Sequence, residues 1–170
     1  DGFRLDVVNL ISKDQRFLDA DGNEDDMLPD GRKYYTDGPK VHEYLKEMNE
    51  EAFYDSKLLT VGEMSSTSLE NCIRYSNPEE KELSMVFSFH HLKVDYTNGE
   101  KWTKAPFDFI KLKKILSKWQ KGMYEGNGWN ALFWSNHDQP RAISRFGDDG
   151  KYHDESGKML CLVAHGLQGT

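Results

Sequence analysis

The sequence predicts an α/β fold built on a parallel sheet with crossover helices. Two observations carry that prediction. Short apolar runs of strand length alternate with longer stretches whose apolar residues recur at helical spacing, and the order strand, helix, strand, helix repeats along the chain. Parallel strands in such an order need helical crossovers, which leaves a sheet that is either open or closed into a barrel.

The elements follow in order. Residues 3–9 alternate and then run apolar, as the end of a buried strand does. Residues 10–36 are rich in Asp, Gly and Asn and read as a long loop, a length that compact domains usually reserve for function. Asp37-Gly38-Pro39 marks a helix start, with Val41, Leu45, Met48 and Ala52 on one stripe. Residues 58–63 form a second strand, and residues 65–75 a short helix with Leu69, Cys72 and Ile73 inward. In residues 83–89, Leu83, Met85, Phe87 and Phe89 share one face against Ser84 and Ser88, which gives a third strand. Residues 108–124 keep Leu112, Ile115, Leu116, Trp119 and Met123 at helical spacing. A fourth strand at 129–134, a helical turn at 141–146 and a longer helix at 156–167 complete the order. Composition marks no internal boundary, so residues 1–170 are read as one domain.

Bulk properties narrow the function. A net charge of −7 argues against nucleic acid as the main partner. No apolar run approaches the ~20 residues of a membrane span. Cys72 and Cys161 belong to no paired-spacing motif, and a reducing compartment is the simpler reading. No His, Cys or carboxylate cluster has metal-ligand spacing. Asp19-Ala20-Asp21-Gly22-Asn23 hints at a calcium loop, but Glu24 stands where the turn glycine of that motif belongs, so it reads as a solvated acidic loop. No metal and no cofactor is expected.

Three strand-like runs each deliver a carboxylate at or near the end. They are Asp1-Gly2-Phe3-Arg4-Leu5-Asp6, Thr60-Val61-Gly62-Glu63 and Phe133-Trp134-Ser135-Asn136-His137-Asp138. Carboxylates presented by the ends of several strands are how a barrel enzyme assembles a site, and two facing one bond suffice for most glycoside hydrolysis. Arg4 and Asp6, two apart on an extended strand, share a face, and the guanidinium favours the ionised carboxylate a nucleophile needs. A buried structural ion pair is the alternative. Glu63 is placed to be held protonated by burial and nearby negative charge, as a general acid is, or is simply a polar strand end. His137 alone fits a metal ligand, a proton carrier or a structural group.

The three motifs in this order resemble the signature regions of glycoside hydrolase family 13, the α-amylase family. Gly2-Phe3-Arg4-Leu5-Asp6, Gly62-Glu63-Met64 and Asn136-His137-Asp138 carry the resemblance, which extends over the whole chain. It implies a (β/α)8 TIM barrel, of which this chain holds about the fourth to seventh strand-helix units. It also implies Asp6 as nucleophile, Glu63 as acid/base and Asp138 as transition-state stabiliser, with Arg4 and His137 as supporting substrate contacts. The family's first signature region is expected before Asp1 and an eighth strand just after Thr170, so the chain is expected to be an internal stretch that hydrolyses nothing alone.

Val7 narrows the resemblance to the branch of oligo-1,6-glucosidases and trehalose-6-phosphate hydrolases. Within it, residues 62–72, Phe89-His90-His91-Leu92-Lys93-Val94-Asp95-Tyr96 and Asn98-Gly99-Glu100-Lys101-Trp102 are similar to the phosphorylated-substrate enzymes. His90 or His91 (strand alternation lets only one of them face the site), with Lys93 and Lys101, would then bind a phosphate monoester by charge-assisted hydrogen bonds; without the resemblance they are a solvated loop. The implied reaction is retaining hydrolysis of α,α-trehalose 6-phosphate, a small phosphorylated disaccharide held in the cytoplasm. The alternatives are cleavage of isomalto-oligosaccharides or a catalytically dead binding subunit, against which the retention of Asp6, Glu63 and Asp138 argues.

Overall fold

Three strands run side by side in sequence order. The computed structural model describes residues 1–20, 30–53, 57–98, 100, 102 and 105–170. Asp21-Gly22-Asn23 of the acidic loop, Gly99 and Lys101 lie outside the described residues. Strands β1 (Gly2–Leu5), β2 (Leu59–Glu63) and β3 (Met85–Phe87) form a parallel sheet of order β1-β2-β3. Leu5 pairs with Gly62 and Gly62 with Val86, while Glu63 pairs with Phe87. Because side chains alternate faces along a strand, one row runs Leu5, Gly62, Val86 and the neighbouring row carries Arg4, Val61, Glu63 and Phe87.

The first row faces helices. Behind it lie α1 (Val41–Met48), α2 (Leu69–Ser76) and α3 (Phe109–Glu125). Val8, Val41, Leu45, Met64, Leu69, Cys72, Tyr75, Leu83, Val86 and Met123 form one buried cluster there. Capping is local: the Ser68 hydroxyl accepts from the Asn71 amide at 3.1 Å and the Asp108 carboxylate from the Lys111 amide at 2.9 Å. A second cluster of Leu92, Val94, Leu112, Phe146 and Leu160 joins α3 to α4 (Ala142–Phe146) and α5 (His153–Gly166).

Four expectations change. The first strand stops at Leu5 instead of running on to Asn9, because Val7 turns left-handed at φ 36° into a 3-10 turn at Val8–Leu10. The stripe of α1 ends before Ala52, because the helix passes into a π-helical turn at Asn49–Phe53 that shifts its phase and leaves Ala52 exposed. β3 is shorter than 83–89: the Ser84 amide donates to the Thr60 hydroxyl at 2.8 Å and the Thr60 amide to the Ser84 hydroxyl at 3.1 Å, so side chains replace the ladder at its entry. The expected fourth strand makes one bridge, Val86 to Asn130. Its next polar group is diverted, since the Phe133 carbonyl accepts from the His91 ring at 2.7 Å. On its other edge the same segment is paired: the Thr170 amide donates to the Asn130 carbonyl at 2.9 Å and the Leu132 amide to the Thr170 carbonyl at 2.6 Å.

Candidate active site

The carboxylates gather at the C-terminal ends of the strands. Asp6 lies one residue past the last β1 pair, level in register with Glu63. The Arg4 guanidinium spans both: Nη1 donates to Asp6 Oδ1 at 2.6 Å and Nη2 to Glu63 Oε2. Its flat face lies 6.0 Å from the Phe87 ring centroid, and Phe87 meets Phe133 edge-on at 5.2 Å. Arg4 is thus held by an aromatic wall while its fork addresses two acids.

Their environments differ sharply. The Glu63 side chain is 5% exposed and that of Asp6 70%. Burial raises the Glu63 pKa above the usual carboxyl range; the Arg4 charge opposes this, and the charges of Asp6 and Asp138 add to it. Two carboxyls facing one another in unequal surroundings divide into a proton holder and an anion. Gly62 packs this arrangement from behind: a Cβ there would come within 2.6 Å of both Leu83 Cδ1 and Met64 Cε, so side chains rather than backbone make the close approach.

Asp138 stands on a turn closed by Asn136, whose Oδ1 accepts from the Asp138 amide at 2.9 Å. His137 Nε2 lies 3.4 Å from Asp138 Oδ2, and both side chains are more than half exposed. Arg4, Asp6, Glu63 and Asp138 are therefore brought together, with His137 beside the last of them.

The basic residues after β3 sit elsewhere. Residues His90–Leu92 form a 3-10 turn followed by Lys93. Residues 86, 88 and 90 share the helix-facing parity. His90 accordingly packs its ring 4.7 Å from Trp119 of α3, with Nδ1 3.2 Å from the Ser88 hydroxyl. Burial lowers its pKa, helped by Lys93 and Lys118. His91 is half-buried against Phe133 and Trp134, and desolvation there depresses its pKa to about 4. Neither ring joins the carboxylate group, and the His90 expected to contact the phosphate packs against α3. Lys93 is half-buried, and burial together with the Arg32 charge lowers its pKa.

Sequence reasoning missed several supports. Phe87 was legible as a strand residue but not as the platform for Arg4. Arg145 donates from Nε to Asp95 Oδ2 at 2.7 Å, from Nη1 to Gln139 Oε1 at 2.9 Å and from Nη2 to the Leu92 carbonyl. It thus ties the turn bearing Lys93 to the loop bearing Asp138. No spacing signal marks so distant a contact.

The family described as "Alpha amylase, catalytic domain" matches residues 1–170. The chain belongs to the α-amylase family. It is 65% identical to the trehalose-6-phosphate hydrolase of Bacillus subtilis (strain 168), covering 100% of this chain and 29% of that protein. It is 48% identical to the oligo-1,6-glucosidase of Parageobacillus thermoglucosidasius, covering 100% and 30%. Among solved structures, Bacillus licheniformis trehalose-6-phosphate hydrolase superposes with a TM-score of 0.90 at 65% identity, again over 100% of this chain and 30% of the other. The chain thus spans about 30% of the relatives it matches, and its parallel sheet with outer helices is part of the TIM barrel they share. Among the described residues, no helix is long and apolar enough to cross a membrane.

Proposed function

We propose that the protein bearing this chain is a retaining α-glycosidase that hydrolyses α,α-trehalose 6-phosphate in the cytoplasm. The observation that carries the reading is one guanidinium joining an exposed Asp6 to a buried Glu63 whose pKa is raised. Retaining enzymes hold their two carboxyls about 5–5.5 Å apart, whereas inverting ones leave room for a water at about 6.5–9.5 Å. One guanidinium reaching both carboxyls, together with the influence of Asp6 on Glu63, supports the shorter class.

In this reading Asp6 attacks the anomeric carbon of the unphosphorylated glucose. The bond from that carbon to the bridging oxygen breaks, and Glu63 gives its proton to the oxygen, releasing glucose 6-phosphate. Glu63, now ionised, takes a proton from water; the water oxygen attacks the same carbon, Asp6 leaves, and glucose is freed. Asp138 steadies the sugar while positive charge develops, with His137 beside it, and Arg4 orients the Asp6 carboxylate through its hydrogen bond. Lys93 and Lys101 grip the phosphate of the leaving sugar, and His90 supports the turn that presents Lys93.

The assignment of substrate rests on Lys93 with its neighbouring charges and on the 65% identity to a trehalose-6-phosphate hydrolase against 48% to an oligo-1,6-glucosidase. The test is to assay the full-length protein on trehalose 6-phosphate and isomaltose in parallel, following glucose release. Faster cleavage of the phosphorylated sugar supports the proposal. Preference for isomaltose replaces it with the oligo-1,6-glucosidase reading.

A further inference from the structure

The segments that follow β1 and β2 diverge directly after their carboxylates. Val7, next to Asp6, turns the chain at φ 36°, and Ser66 turns the other at φ 53°. Both are left-handed, a conformation that non-glycine residues adopt only when their surroundings hold them there. The last backbone pair between the strands is Leu5 with Gly62. Beyond it, a side chain takes over. Asn9 Oδ1 accepts from the Ser65 amide at 2.9 Å, and Asn9 Nδ2 donates to the Ser65 carbonyl at 2.8 Å. One side-chain amide thereby makes the two bonds that a neighbouring strand residue would make.

The pairing is anchored on its far side. The second Nδ2 proton goes to Asp37 Oδ1 at 3.0 Å, and the Asp37 amide donates back to the Asn9 carbonyl at 3.0 Å. The Asp37 carboxylate also accepts from the Thr67 hydroxyl at 2.7 Å, the Asn71 amide group at 2.8 Å and the Tyr75 hydroxyl at 2.6 Å. Asn9 is fully buried, so water offers these groups no replacement. Its orientation is fixed chemically: a flipped amide would set N–H against N–H at Ser65.

We infer that Asn9 is a positioning residue that sets the separation of Asp6 and Glu63, with Asp37 as its anchor. The inference rests on reading those two carboxyls as nucleophile and acid. Asn9 touches neither of them; it acts through Ser65, two residues beyond Glu63, and through its own place three residues beyond Asp6. Displacing a reacting group by 1 Å can cost about 100-fold in rate. An interaction that fixes the spacing should therefore appear in kcat rather than in substrate affinity.

The experiment uses the full-length protein with Asn9→Ala and the milder Thr67→Val, which strips one donor from Asp37 and leaves Asn9 in place. Each is assayed on trehalose 6-phosphate and on p-nitrophenyl α-glucoside, with the pH profile of kcat/KM and thermal unfolding recorded. Asn9→Ala is expected to lower kcat about 10- to 100-fold on both substrates with KM nearly unchanged. The alkaline limb of the profile should move to lower pH. Burial, Asp6 and Asp138 raise Glu63 against the pull of Arg4, and retreat of Asp6 removes one of the raising charges. Thr67→Val should shift both readouts the same way by less. A lower melting temperature with unchanged kcat and an unmoved alkaline limb would overturn the inference; if Asn9→Ala does not fold, the same result from Thr67→Val does so. A wild-type protein that cleaves the aryl glucoside but not trehalose 6-phosphate refutes the substrate reading alone and leaves the Asn9 test readable.

Discussion

Lys93→Ala offers the sharpest test of the phosphate grip. Lys93 is half-buried at the end of the His90–Leu92 turn, with Arg32 close enough to lower its pKa and its own charge lowering that of His90. A dianionic phosphate there relieves crowded positive charge in surroundings less screened than open solvent. Hydrogen bonds to charged groups are worth about 1.5–3 kcal/mol, and about 1.4 kcal/mol is tenfold in a rate or binding constant. Removing the ammonium should therefore lower kcat/KM for trehalose 6-phosphate roughly 10- to 100-fold. p-Nitrophenyl α-glucoside, which has no phosphate, should lose less than about twofold, because the packed remainder of the turn keeps its bonds to Arg145 and Phe133. The assay is initial rate on both substrates with the full-length protein, repeated at raised salt, where the difference should narrow. An equal loss on both would mean that Lys93 only holds the turn, and no loss on the phosphorylated sugar would place the phosphate elsewhere. Either result refutes the reasoning.

Other expectations follow from the same geometry. Glu63→Gln removes the proton donor and should cost about 10²- to 10⁴-fold on trehalose 6-phosphate, with a smaller loss on the aryl glucoside, whose leaving group needs little protonation. Arg4→Gln deletes the one cation that lowers the Glu63 pKa; the acid then stays protonated to higher pH, so the alkaline limb of kcat/KM should rise while kcat falls. Arg145→Ala strips the guanidinium from Asp95 where both side chains are 5% exposed or less, and chemical unfolding should record a loss of about 3–5 kcal/mol. Gly62→Ala forces a methyl against Leu83 and Met64 at 2.6 Å. That overpacking should cost about 1–3 kcal/mol in the same measurement and lower kcat by moving Glu63.

Legibility differed between local and distant features. The β2 strand and the α2 and α3 helices were readable, because each depends on a period of two or 3.6 within a few residues. Arg4, Asp6 and Glu63 were grouped by their strand-end positions and the family resemblance, not by a local period. The fourth strand was overcalled because Trp129 to Trp134 is as apolar as a strand, while its ladder is cut by a His91 bond that no local pattern announces. Ala52 left its stripe for a similar reason, since a π turn changes the period without changing the composition. Asp37 looked like the opening of a helix. It does precede α1, and its carboxylate also collects donors from Asn9, Thr67, Asn71 and Tyr75. Such a hub is set by packing and has no sequence period.

The parity of a strand explains where the structure places several of the expected site residues. In the shared register, Arg4, Glu63 and Phe87 point to one side and Leu5, Gly62 and Val86 to the other. That rule brings the acids together with no contact between their segments visible in the sequence. Continued past β3 through Ser88, it carries His90 to the side of Trp119 and away from the acids. Parity thus sets His90 apart from the acids. The 3-10 turn at His90–Leu92 ends the alternation before Lys93, so strand parity assigns that lysine to neither side. A basic residue after a barrel strand is thus a credible substrate contact when a turn has broken the alternation, or when its parity matches that of the acids. On this argument Lys93→Ala should discriminate between the two substrates, whereas Trp119→Ala should not. Loss of the Trp119 indole loosens the packing behind His90, lowers stability and reduces cleavage of the phosphorylated and aryl substrates alike.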